Sequence, residues 1–379
     1  MGSWRAVDYN ATRSSPTAPM MNPDWQDFLL ARGAVPGPGP GCTASFGDPA
    51  GERLAAASSA VLCDLSHMGV IGFAGDDAQV FLQGQLTCDV REATARASRP
   101  GALCTPKGRA LATFRLWQDD AGYCMQLPRA HLEAVRKHLS MYVLRAKVRV
   151  SDRSADTVRL GVAGPQAAIR VAGALGLAPE GLSVAGTIVT SGSVQVLCLG
   201  PERFELVAPC AEGPALWTTL AAASMPAGEP AWRWASIMAG EAWLHEATQD
   251  QFVPQMLDLD LTGGIGFSKG CYTGQEIVAR TQYLGRLKQR LYRGRLLQPQ
   301  AGEAGLPAPG TSLFSVDMEG QATGTVVESA LAPDGAIDLL AVVRTESAHA
   351  TTLHVGSLSG PALHPLAAVH PDVAGERPA

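Results

Sequence analysis

Val162-Ala163-Gly164-Pro165-Gln166-Ala167 repeats the order of Phe73-Ala74-Gly75-Asp76-Asp77-Ala78. Each is an apolar strand ending, then a glycine, then a helix start with Ala three residues on. Pro165 suits a first helical turn. The echo continues downstream. Phe204 to Pro209 and a helix through Ala215, Leu216 and Leu220 parallel Tyr123 to Pro128 and a helix through Ala134, Val135 and Leu139. A recurring order of strand, helix, strands, helix predicts two related α+β modules side by side.

Working outward, Ala60 to Leu65 and Val70 to Phe73 read as strands around the turn Ser66-His67-Met68-Gly69. Gly75-Asp76-Asp77 predicts a helix start, with Gln79 completing a D-x-x-Q cap. Ala110 to Trp117 and Gly122 to Leu127 read as strands, and Leu132, Val135, Leu139 and Tyr142 recur at helical spacing. Before these, a short helix carries Trp25, Phe28 and Leu29. Val35-Pro36-Gly37-Pro38-Gly39-Pro40-Gly41 excludes helix or central strand. After Gly285, short apolar runs separated by Gly, Pro and Asp turns predict a small all-β, barrel-like domain. The expected division is 1–41 tail and linker with one short helix, 42–150 first module, 151–231 second module, 232–290 a segment packing back on the first module, 291–364 a β-barrel, and 365–379 a tail.

The 379 residues allow two or three domains. A formal net charge of −5 argues against a general nucleic-acid binder, which needs clustered Lys and Arg. No apolar run is long enough for a membrane-spanning helix. The first nineteen residues lack a hydrophobic signal core, so a cytoplasmic location is expected. The 8 cysteines form no C-x-x-C pair and the histidines no zinc-protease spacing, so no metal site is expected.

The densest chemistry lies in Lys269-Gly270-Cys271-Tyr272-Thr273-Gly274-Gln275-Glu276, after Gly263, Gly264 and Gly266. Thr273 and Glu276 form a T-x-x-E capping box, which predicts a helix start at Thr273. Cys271 then sits two residues before the cap. The partial positive charge of a helix start and the Lys269 ammonium both favour a thiolate there. The bland alternative is a tight turn whose cysteine merely packs. Arg280 lies two helical turns on. Arg286, Lys288, Arg290, Arg293 and Arg295 form a basic strip that either faces solvent or steers an anion.

Phe81-Leu82-Gln83-Gly84-Gln85-Leu86-Thr87, Pro106-Lys107-Gly108-Arg109, Phe252-Val253-Pro254-Gln255 and the Lys269–Glu276 run together resemble the YgfZ-type folate-binding proteins. These share a superfamily with the glycine-cleavage T-protein, an aminomethyltransferase. The resemblance spans roughly residues 60 to 295. It implies a ring of three domains, two α+β and one β-barrel, with tetrahydrofolate in the central cavity. It also implies a role in assembling or repairing iron–sulfur clusters in client proteins, including enzymes that modify tRNA, without direct nucleic-acid or membrane contact. On this resemblance Cys271 is the reactive thiol, and Lys269, Tyr272, Gln275, Glu276, Arg280 and Arg286 are the folate contacts. Lys269 either tunes Cys271 or holds the folate glutamate tail, and Glu276 either binds or only caps the helix.

Two departures separate the chain from the T-protein branch. Gly108-Arg109-Ala110-Leu111-Ala112-Thr113 lacks the acid that acts near the folate amine. Ile237-Met238-Ala239-Gly240 lacks the Glu that precedes a helix glycine. A carboxylate-free position offers neither charge stabilisation nor proton transfer. The expectation is a folate-binding factor without the aminomethyl-transfer apparatus. A folate-dependent transferase using another acid and a ligand-free scaffold are the alternatives.

Overall fold

The computed structural model describes residues 21–285, 287–297, 302–364 and 366–370. Among them three main sheets form. The first orders its five antiparallel strands Arg99–Cys104, Ala110–Asp119, Gly122–Pro128, Met68–Ala74, Arg149–Asp152. The second runs Ile188–Ser191, Val194–Gly200, Arg203–Pro209, Thr157–Ala163, Val61–Asp64, Met225–Ala227, with only the last pair parallel. The third has seven antiparallel strands, with Ala322–Leu331, Ile337–Arg344 and Gln289–Leu296 at its centre.

The internal echo is real at the level of backbone geometry. Gly75 and Gly164 hold φ of +124° and +122°, each just before a helix, Ala78–Gln83 and Ala167–Leu175. A Cβ on Gly75 would lie 2.1 Å from the Lys147 carbonyl oxygen, and on Gly164 2.5 Å from that of Ser59. Only glycine accepts both the left-handed backbone and the close approach. In each case the helix start closes through the Ala amide to the glycine carbonyl, at 3.1 Å for Ala78 and 2.9 Å for Ala167.

The expected D-x-x-Q cap is not made. Asp77 caps the helix without a side-chain bond, its carboxylate accepts from the Lys147 amide, and Gln79 donates to the Tyr123 hydroxyl. The Val61–Asp64 strand, read within 42–150, belongs to the second sheet, between Thr157–Ala163 and Met225–Ala227. Its four residues are all buried, so it needs neighbours on both sides. Val35–Pro36 forms a two-residue strand against Thr43–Ser45, on an edge where proline is tolerated. The expected C-terminal tail contributes a strand, Ala367–Ala368, paired with Tyr292 and Arg293. The expected tail at 1–20, and residues 365 and 371–379 of the C-terminal one, lie outside the described residues.

Each α+β sheet has its own apolar core beneath its helices. Between the two sheets Val70, Trp117 and Cys124 meet Ile188, Leu197 and Val207. A further cluster joins Ala102, Cys104 and Ala110 of the first sheet to Phe252, Leu257, Ile265 and Val278, and these to Leu291, Val327, Leu340 and Val342 of the third. The 250–280 segment is therefore the wedge between first and third sheets. Fully burying one such aliphatic side chain stabilises by roughly 1.5–3 kcal/mol.

Candidate functional site

Cys271 stands at a point where four separated segments are fastened together. Thr87 is fully buried; its hydroxyl donates to the Gly264 carbonyl (2.7 Å) and accepts from the Ala102 amide (2.8 Å). Its own carbonyl takes the Gly266 amide at 2.8 Å. Gly108 and Gly274 press together: a Cβ on Gly274 would sit 2.8 Å from Gly108 Cα and 2.5 Å from the Thr105 carbonyl oxygen. The Ala110 amide donates to the Phe252 carbonyl at 2.8 Å, and Gln255 Nε2 to the Val278 carbonyl at 2.7 Å. Both glycines adopt positive φ, +70° at Gly108 and +83° at Gly274. Each motif singled out in the sequence therefore supplies one side of the same joint.

The helix begins later than the capping box predicts. It spans Gln275–Tyr283, with left-handed Gly274 as N-cap and no side-chain cap bond from Thr273. Gln275 bends back instead, its Oε1 accepting the Tyr272 amide at 3.1 Å. The close approach of Gly274 to Gly108 sets the start, overriding the local Thr-Glu signal.

Along the loop, inward Lys269 and Tyr272 flank exposed Gly270 and Cys271. Lys269 is 6 % exposed and points inward, where Nζ donates to the carbonyls of Leu86 and, at 2.8 Å, Cys88. It also lies 4.9 Å from the centroid of the Tyr272 ring. Burial, partly opposed by Asp89, pushes its pKa down to about 8. Tyr272 is buried too, and burial pushes its hydroxyl up. Of the eight cysteines only Cys271 is exposed. Burial raises Cys88 and Cys104 to about 12 each, which leaves those thiols protonated and unreactive. Glu276 and Arg280 are exposed, and Arg286 lies outside the described residues.

The expected basic strip is largely neutralised. Arg290 pairs with Asp258 at 3.2 Å and Asp260 at 2.6 Å, Arg293 donates to the Met238 carbonyl, and Arg295 pairs with Asp334 and Asp338. Lys288 stays exposed.

A second concentration of charge surrounds a cavity of about 80 Å³ where the three sheets approach one another. None of Lys269, Cys271, Tyr272, Gln275, Glu276 and Arg280 lines it. Its acids are ones the sequence reading missed. Glu241 follows directly on the run Ile237–Gly240 and accepts hydrogen bonds from both Arg115 and Arg203. Burial works against its charge, but Arg203 and Arg115 outweigh it and hold the carboxyl at about 2. Glu205 is 2 % exposed and accepts from Gln126 Nε2 at 2.6 Å. Burial, with Glu241 adding, lifts Glu205 to about 7 against the pull of Arg159 and Arg115. Arg203 lies over the Trp232 ring at 4.9 Å. Across the cavity, burial disfavours charge on His245, but Glu328 at 3.4 Å outweighs it and raises the pKa.

Glu205 lies between Phe204 and Leu206 in a strand with every residue but its last buried. Among the described residues that line the cavity, His67 Nδ1, Arg115 Nε and Glu328 Oε2 are buried without a hydrogen-bond partner. Among the described residues, no group of three or more His, Cys, Asp and Glu is placed to hold a metal ion, and no helix is long and apolar enough to cross a membrane.

Comparison with known proteins follows the same lines. The GCVT N-terminal domain family matches residues 43–232. The chain is 33% identical over 250 residues to the tRNA-modifying protein YgfZ of Colwellia psychrerythraea, covering 65% of this chain and 75% of that one. It is 30% identical over 287 residues to the protein of that name from Serratia proteamaculans, covering 75% and 84%. Among solved structures, the glycine cleavage system aminomethyltransferase T of Bartonella henselae has a TM-score of 0.73 at 19% identity, covering 92% of this chain and 96% of that one. At that identity the likeness is one of fold.

Proposed function

The chain belongs to the YgfZ family within the GCVT superfamily, and from that premise we propose a tetrahydrofolate-binding factor for the maturation or repair of iron–sulfur proteins. The observation that carries this reading is the presentation of Cys271: an exposed thiol on a glycine loop that three other segments hold in place. An inert cysteine needs no such support. Its clients are iron–sulfur enzymes, among them enzymes that modify tRNA, and the chain itself touches neither nucleic acid nor membrane. The three sheets act as three domains in a ring, with the third closing as a barrel.

The lining suits one edge of a pterin ring chemically, and at about 80 Å³ the cavity takes only that end of tetrahydrofolate. A pterin edge carries donors and acceptors together, and the unpartnered Arg115 Nε, His67 Nδ1 and Glu328 Oε2 offer both. Glu205 and Gln126 supply a carboxyl and an amide, and Trp232 an aromatic wall. When bound, the folate supplies a carrier for one-carbon units. The protein's own residues then orient the ring and keep water away from it. The 269–276 loop, expected to contact the folate, is in this reading the thiol-presenting element.

Replacing Cys271 by Ala tests the proposal. The variant should fold normally by circular dichroism yet fail to rescue a strain lacking the factor. Full rescue by C271A would remove the thiol from the mechanism.

A second reading is favoured by Glu205 alone. A buried carboxyl poised near neutrality is the kind of acid–base group a folate-dependent aminomethyl or methyl transferase requires. Turnover of tetrahydrofolate with an aminomethyl donor would establish it. Measurable folate binding without turnover would dismiss it.

A further inference from the structure

We infer that Lys269 is the positioning residue of the Cys271 loop, tying the loop to the Leu86–Cys88 backbone so that the thiol is held outward. This deepens the reading of Cys271 given above and rests on it. It replaces both roles expected of Lys269, tuning the thiol and meeting a folate.

The geometry carries the inference. A lysine is almost never buried unless its ammonium is paired. Here it is met by two backbone carbonyls, Leu86 and Cys88, and by the face of the Tyr272 ring. Charge-assisted hydrogen bonds of this kind are about twice as strong as neutral ones. The stem reaches the carbonyls by passing Gly266, where a Cβ would lie 3.0 Å from Lys269 Cδ and 3.1 Å from the Asp89 amide.

The other fasteners leave the centre of the loop unattended. Thr87 secures Gly264 and Gly266 upstream. Gly274 is seated on Gly108 downstream. Between them the anchors are Lys269 and Tyr272, one on each side of exposed Gly270 and Cys271. The loop is thus pinned by two inward side chains flanking an outward thiol. Removing the ammonium frees one pin and leaves two interior carbonyls without their donor.

Hydrogen exchange of the full-length protein, read by mass spectrometry on peptides covering residues 264–275, tests this alongside rescue of the deficient strain. In K269M the loop amides should exchange at least about tenfold faster while the Met68–Ala74 strand stays protected, and rescue should be lost. K269R, which keeps charge and donors, should restore both slow exchange and rescue. Loop exchange in K269M as slow as in the natural protein would overturn the positioning role. If K269M also loosens the Met68–Ala74 strand, K269Q decides. Slow loop exchange with rescue lost would then mean that Lys269 does chemistry; fast exchange would support positioning. Should C271A rescue fully, the functional reading of the thiol fails, while the exchange comparison still decides what Lys269 holds.

Discussion

At the scale of single residues, two glutamates in one cavity make opposite predictions with pH. The Glu205 carboxyl is raised from the ordinary 4.5 to about 7, so between those values the folded chain holds a proton that the unfolded chain has lost. Folding is therefore weakened as pH rises through that window, by on the order of 3 kcal/mol in all. E205Q should remove the effect and be relatively more stable than the natural protein at pH 8 than at pH 4.5, as urea unfolding at both values would reveal. Glu241 is held at about 2, so its contribution is present above pH 4.5 and is lost as pH falls toward 2. E241Q at neutral pH leaves Arg115 and Arg203 buried without their carboxylate, and should cost about 3–5 kcal/mol by the same measurement. Cys271 could be singled out as a candidate from its neighbours in the chain, because glycines and chemically able residues crowd around it. Glu205 and Glu241 could not, because their partners Gln126, Arg115 and Arg203 are distant in sequence and only folding brings them together.

At the scale of elements, the joint around the Gln275–Tyr283 helix explains why local capping chemistry misplaced its start. The T-x-x-E signal is worth about 1 kcal/mol, whereas Gly274 against Gly108 is a backbone contact that no other residue can make. G274A should destabilise by roughly 1–3 kcal/mol, through left-handed strain and collision with the Thr105 carbonyl. T273A should change stability by less than about 0.5 kcal/mol, since Thr273 makes no cap bond. Chemical denaturation of the two variants side by side decides between the contact and the cap. The basic strip teaches the same lesson. Its alternation reads correctly as a strand, but the acids that neutralise Arg290 and Arg295 come from 258–260 and 334–338. R290M strands Asp260 and leaves Asp258 only His370, both acids being 3 % exposed at the side chain, and should cost about 3–5 kcal/mol in the same denaturation series.

At the scale of the whole molecule, tetrahydrofolate should raise the melting temperature, because a ligand that binds only the folded chain stabilises it by mass action. At a hundred times its dissociation constant the gain is about 2.7 kcal/mol. E205Q combined with R115M should abolish that gain in a thermal-shift titration, and an unchanged shift would move the folate away from this cavity. The paired modules could be read from the sequence because a glycine with positive φ leaves a local signature at Gly75 and again at Gly164. The membership of Val61–Asp64 could not, since a short buried strand looks the same whichever sheet receives it. That strand has a consequence for how the protein is made. Val61 to Asp64 leave the ribosome early, yet their neighbours begin only at Thr157 and Met225. At about 5–20 residues per second, the strand waits on the order of eight to thirty seconds for both edges to be covered. During that interval an apolar segment stands open to chaperones and to other nascent chains.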